Sequence, residues 1–334
     1  MRSRPHSAAL LAAVLVTMAL TAPAGRTAAA AQATATLAPG PLQEIEVIGE
    51  RPGPRLWKVT DGDHVLWILG TLGPLPKRMT WRSQEVETVL QSSQQVLAPE
   101  PALSLGVGPF AAIGLYLQWR RIQKNPDGAD LKQELPAPLY ARVEALRQKY
   151  DPHDDHLERM SPLFAARRLY ERAIDASGLV PEFTVERTVF DLARRNHVPV
   201  ERVGMKLPEP KALLTDLGDT PPAARIQCLE TTVSRLETDL PTMQVRARAW
   251  ALGDVDTLRR LPYPDQRDVC WSAISVSARI KAFRAQMRQT WIDAAEAALK
   301  RNRSTLTLRP MDDLLGSDGA LAVLRARGYH IEGP

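Results

Sequence analysis

Two apolar, β-prone runs, Leu56–Val59 and His64–Leu69, flank the tight sequence Asp61-Gly62-Asp63. Asp-Gly between alternating hydrophobic residues is a strong short-range signal for a β-hairpin. The second run does not stop at the turn. It continues through Trp67-Ile68-Leu69 into Gly70-Thr71 and then into a loop, Leu72–Pro76, holding a second glycine and two prolines. Loops that leave the end of a buried strand are where α/β proteins place their chemistry. This one carries no acid, base or thiol.

The rest of the chain reads around that hairpin. Ser83 is an N-cap for a helix carrying Val86, Val89 and Leu90 on one face, and Val96-Leu97 follow as a short strand. Apolar residues at three- and four-residue spacing predict helices over 109–124, 137–150, 162–176 and 182–196. Val198–Val203 reads as a short strand, with Pro199 directing it to a sheet edge. From Pro208 to Asn302 helix follows helix, punctuated by Pro221-Pro222, Pro241 and Leu261–Asp265. A strand at Thr305–Leu308 and a last helix over 318–327, with Gly328 as its αL cap, complete the pattern. A hairpin, helices and strands at this spacing predict one α/β (α+β mixed) domain, a small mixed β-sheet flanked by many helices, with a large helical insertion in the second half.

The first residues are read as outside this fold. Arg2, Arg4 and His6 precede an apolar run, Ala8–Ala22, and Ala22-Pro23-Ala24 offers a small-x-small cleavage site. That is the pattern of a secretory signal peptide over residues 1–24, a retained N-terminal anchor being the alternative. Residues 25–54 are Ala/Thr/Pro-rich without periodicity and read as a disordered linker ahead of a domain at 55–334. Within that linker, Glu44–Pro52 alternates apolar residues as a strand could when added to a partner's sheet edge, or as a linker lying on its own domain. The expected location is therefore periplasmic or secreted, with no integral membrane span after cleavage, since no later stretch approaches 18 apolar residues.

The charge excludes less than the pI of 9.3 implies. The net charge is +5, and Arg2 and Arg4 fall in the leader, leaving +3. The arginine pairs at 120–121, 167–168, 194–195 and 259–260 sit on separate predicted helices, with no basic stripe interleaved with aromatics, so nucleic acid is not the expected partner. Cys228 and Cys270 suit one disulfide in an oxidising compartment, two buried thiols being the alternative.

In this order the pieces resemble the TraB/GumN family, which is grouped with the Tiki-type metalloproteases. The likeness covers most of the chain from Leu56 to Tyr329. It is most specific at Leu56–Pro76, similar to the family's opening hairpin and G-T-x-H-x-L-P loop. The second place is Leu314–Tyr329, similar to its closing H-L-x-G-x-D-G-L-L-x-L-L-x-x-x-G-Y motif. Pro162–Ala166 and Arg194–Val200 also match family landmarks. The resemblance implies two G-x-x-H loops and glutamates at strand ends holding a divalent metal that activates water.

Position by position, the metal ligands are missing. Gly70-Thr71-Leu72 match the first loop, but the histidine position is Gly73, with Pro76 beyond it. In the second loop the glycine is Pro310 and the histidine Asp313. The glutamate after the second strand falls at Ala98 or Pro99, unless Glu100 stands in, and the third-strand glutamate position is Gly204.

Other residues could refill the site only in part. His64 lies six residues before Gly70, roughly 20 Å along an extended strand, too far to ligate at Gly73. Asp312, Asp313 and Glu100 form the weak candidate acidic group, able to suit Mg²⁺, Mn²⁺ or Ca²⁺, or else Asp312 or Asp313 simply opens a turn. In Asp151–Glu158, His153 and His156 would share a helical face, or Asp155 and Glu158 would form a capping box. His197 and His330 read as solvated loop residues. No G-x-S-x-G, P-loop, C-x-x-C or H-E-x-x-H motif occurs, and Gly106-Val107-Gly108 lacks the third glycine of a dinucleotide fingerprint.

The expectation is therefore an exported, non-catalytic scaffold of the family, binding a protein, peptide or envelope polymer, with no cofactor. The alternative is a metal-dependent hydrolase or peptidase with a divalent ion at a rebuilt carboxylate site around Asp312, Asp313 and Glu100.

Overall fold

A computed structural model describes residues 53–125, 128–180, 183–261, 270–272, 274–275 and 277–334. The leader and residues 25–52 of the linker, Glu44–Pro52 included, lie outside the described residues.

The hairpin forms as its sequence predicts. β1 (Leu56–Asp61) and β2 (His64–Thr71) pair antiparallel across a turn in which Gly62 takes φ +61°. After β3 (Leu75–Pro76) come α1 (Gln84–Ser92), β4 (Gln95–Leu97), β5 (Ala102–Ser104) and α2 (Pro109–Ile122). α3 (Leu131–Glu134), α4 (Ala137–Tyr150), α5 (Pro162–Ala176), β6 (Leu179–Val180), α6 (Phe183–Arg195), β7 (Val200–Glu201) and β8 (Gly204–Lys206) follow. The second half supplies α7 (Pro210–Gly218), α8 (Pro222–Thr238), α9 (Leu240–Leu252), α10 (Val255–Arg260) and α11 (Ala278–Arg301). β9 (Ser304–Pro310), α12 (Met311–Leu315), α13 (Ala320–Ala326) and β10 (His330–Glu332) complete the described chain.

Among the described residues the main sheet has the order β10-β1-β2-β9-β4-β7. β2, β9, β4 and β7 run parallel, whereas β1 is antiparallel to both its neighbours. The apolar run of β2 reads as a nearly continuous core strand because both faces of it are covered: Leu66, Ile68 and Leu69 are fully buried. Burial of side chains of this size contributes about 1.5–3 kcal/mol each. Pro199 precedes β7 at the sheet edge, where a residue without an N–H costs no ladder bond.

A second core lies among the helices. Leu139, Val143 and Leu146 of α4, Leu163 and Leu169 of α5, and Leu229 and Val233 of α8 pack there with Ile280 of α11. Cys228, buried in α8, is joined to Cys270 with the sulfurs 1.92 Å apart. The helical insertion of the second half thus packs against helices from the middle of the chain.

Three local expectations need correction. Ser83 holds the N-cap position of α1, but its hydroxyl donates to Glu87 Oε1 instead of accepting a backbone N–H. Asp155 and Glu158 form no capping box. Glu158 accepts from the Lys132 N–H and the Tyr140 hydroxyl, and the chain makes only a short 3₁₀ turn at Leu157–Arg159. His330 lies in a strand, not a loop, exposed and 3.6 Å from Glu332.

Candidate functional site

In a parallel pair both chains leave the sheet at the same end, so loops following neighbouring strands meet there. Gly70 is opposite Arg309 and Thr71 opposite Pro310 in the β2–β9 register. The first loop, with Gly73, and the second, with Asp313, therefore leave adjacent strands side by side. β4 and β7, on the far flank of β9, bring Ala98–Glu100 and Arg202–Val203 to the same end.

The first loop is held rigidly. A Cβ on Gly70 would lie 2.2 Å from Met311 Sδ and 2.8 Å from the Trp57 ring, so only glycine lets the end of β2 pack against the start of α12. Trp250 of α9 donates its indole N–H to the Gly70 carbonyl at 2.8 Å, while Leu72 is buried. Leu75-Pro76 then pairs as β3 with β6. Gly204 begins β8, paired with β5 in a separate two-stranded ladder, where a Cβ would meet nothing within 4 Å.

The second loop starts at Pro310, the N-cap of α12, whose first turn carries Asp312 and Asp313. The Asp313 carboxylate is engaged by two guanidinium groups. Arg309 donates to its Oδ2 from Nε at 2.8 Å and from Nη2 at 2.7 Å. Arg288 of α11 approaches Oδ1 at 3.8 Å. Arg309 also donates from Nη1 to the Pro99 carbonyl at 2.7 Å and lies 4.5 Å over the Trp291 ring. One arginine thus ties the end of β9, the first turn of α12 and the chain after β4 together through charge-assisted bonds. It stands among the positions where the sequence resemblance implies metal ligands.

A resident divalent metal of the zinc type needs about three protein donors. Here Gly73 and Gly204 have no side-chain donor, Ala98 and Pro99 have none, and Asp313 already neutralises arginine. Among the described residues no group of three or more His, Cys, Asp or Glu side chains could hold a metal ion. The residues present do not fit such a centre.

Sequence reasoning missed three residues here. Arg309 and Asp313 are opposite charges four residues apart, a visible signal obscured because they straddle a strand and a helix. Arg288 comes from a distant helix and carried no signal. Glu186, half-buried on α6, is the third: burial first, then repulsion from Glu100, raises its carboxyl above the usual range, with Arg202 opposing.

The histidine-rich segment holds no metal set. His153 and His156 are exposed, while Asp154 between them turns inward and is buried. Burial pushes the Asp154 carboxyl up, but bonds from Arg168 and from the His156 N–H outweigh it and leave the carboxyl below its ordinary range. His64 begins β2, at the opposite end from the site, with Nδ1 donating to the Leu299 carbonyl at 2.7 Å.

Among the described residues no helix is long and apolar enough to cross a membrane. Comparison with curated proteins found no match, and comparison with solved structures found none. A family model, described as the TraB/PrgY/gumN family, matches residues 55–333. With nearly the whole described chain inside that match, and with its two signature loops side by side at the end of one parallel sheet, the protein belongs to the TraB/PrgY/gumN family.

Proposed function

We propose that this protein is an exported, non-catalytic member of its family, a binding scaffold of the cell envelope whose ligand is a protein, a peptide or an envelope polymer. One observation carries the reading: Arg309 is bound to Asp313 and to the Pro99 carbonyl at the strand ends where a metal would otherwise be ligated. A cation there is supplied by the chain itself, which supports a site that does not hold a water-activating metal. Export is supported by the basic start and apolar run of residues 2–22 and by the Cys228–Cys270 bond, which suits an oxidising compartment.

The alternative, a metal-dependent hydrolase around Asp312, Asp313 and Glu100, draws support from one feature. Glu100 and Glu186 stand close enough for their charges to repel, and carboxylates with disturbed titration mark candidate sites. Metal analysis of the purified protein separates the two. We expect no stoichiometric divalent ion. One ion per chain, lost in an Asp313→Ala variant, would replace the scaffold reading with the hydrolase.

A further inference from the structure

Seven of the nine large hydrophobic side chains exposed among the described residues fall between Leu103 and Leu117. Scattered exposed hydrophobics are ordinary on a soluble protein, but a contiguous cluster marks a contact surface. The sequence carries no charged residue from Pro101 to Trp119. Leu103 and Leu105 are 48% and 44% exposed on and just after β5, and Phe110, at 88%, begins the outward face of α2. Ile113, Tyr116 and Leu117 continue it at 56–58% exposure.

At about 100° per residue, Phe110, Ile113 and Leu117 lie within roughly 60° of one another on the helix. The opposite face is spent on packing. Leu115 is buried, Gln118 donates to Thr215 at 2.9 Å, and Ile122 fills the space beside Gly218 of α7. α2 is therefore apolar on both sides but covered on one.

Both ends of the apolar face are basic. The Lys206 side chain lies along Gly106, where a Cβ would be 2.3 Å from its Cε, and Arg120-Arg121 closes α2. None of these three makes an ion pair among the described residues. The acids nearby, Glu209 and Asp216, are both bound to Arg279, at 3.1 and 2.7 Å. This distribution disfavours a second copy as the occupant. An antiparallel two-fold pairing of α2 would set Arg120-Arg121 against the partner's Lys206 end, and a parallel one would set arginine against arginine. An anionic lipid surface meets both ends with opposite charge.

We infer that the Leu103–Leu117 face docks this protein onto the surface of an anionic membrane. The apolar side chains enter the headgroup–acyl boundary, and Lys206, Arg120 and Arg121 contact lipid phosphates. Interfacial helices of this kind bind through buried apolar area together with attraction to anionic lipid. The docked segment begins four residues after Pro99, so the strand-end site would lie close to the bilayer. The inference does not depend on whether that site holds a metal.

Flotation of the full chain with mixed phosphatidylglycerol/phosphatidylcholine vesicles, and with pure phosphatidylcholine vesicles, tests it. The wild type should float with the anionic vesicles, and less so at high salt. A Phe110→Asp/Leu117→Asp variant should bind at least tenfold more weakly while keeping its circular dichroism and melting temperature, because both side chains are exposed. Arg120→Glu/Arg121→Glu should lose the preference for anionic lipid. Absence of flotation by the folded wild type would overturn the inference. So would equal flotation of the Phe110→Asp/Leu117→Asp variant, since another segment, such as residues 8–22, would then be responsible. A wild-type dimer that this variant dissolves, without vesicle binding, would assign the face to a second copy.

Discussion

At the scale of single residues, the Arg309–Asp313 pair carries the functional argument and also bears load in the fold. Arg309 and Asp313 are only 12% and 18% exposed at their side chains. Removing one member of a pair shielded from solvent leaves the other without its counter-charge, which costs about 3–5 kcal/mol when burial is complete and less here. Asp313→Ala should therefore lower the denaturation midpoint clearly, measured by urea unfolding. The Arg309→Ala/Asp313→Ala double variant should lose less than the sum of the two singles. Glu186 gives a prediction of the opposite sign. Its carboxyl is raised in the folded state, chiefly by burial, so folding favours its protonated form. The stabilising contribution is complete below the ordinary carboxylate range and is lost as pH rises through the raised folded value. Glu186→Gln should thus melt slightly higher than the wild type at neutral pH, by up to about 2 °C. The gap should close toward pH 4, as differential scanning calorimetry would record. That Gly73 and Asp313 stand where the resemblance implies histidines was legible in the sequence because matching flanks frame both positions, and their loops do leave adjacent strands. What fills the gap was not, because Arg288 reaches Asp313 only through the packing of α11.

At the scale of elements, long periodic segments were legible, and so were the short apolar strands β4 and β7, whereas four other very short strands were not. The β1–β2 hairpin and helices such as α4 and α5 follow from turn chemistry and apolar spacing. β3, β5, β6 and β8 have two or three residues each, too few to show a period of two, and exist because a partner strand lies alongside. Asp151–Glu158 failed for a different reason. Its composition allows a helix start, but the buried Asp154–Arg168 pair pulls the middle of the segment inward and leaves the flanking histidines outside. The Cys228–Cys270 bond belongs at this scale too, since it closes a loop over a sequence separation of 42. Such a cross-link restricts the unfolded chain, and its loss costs about 2–5 kcal/mol. Cys228→Ala should lower the thermal midpoint, and reducing agent should lower the wild type toward the same value.

At the scale of the whole molecule, family membership fixes the frame, while function has to be argued from the site itself. The sheet order adds a consequence for how the molecule is made. β9, between β2 and β4, is supplied by residues 304–310. A chain emerging from its N-terminus holds β2 and β4 long before the strand that joins them exists. This central strand is among the last parts to arrive, followed only by two short helices and the edge strand β10, so assembly waits for nearly the whole chain and the contacts that complete it are distant in sequence. A chain truncated before Ser304 should keep helical circular dichroism from its middle segments yet show no cooperative melting. Late closure of this kind would also keep a growing chain loose enough to thread a translocation channel before it locks, which is what the proposed export requires.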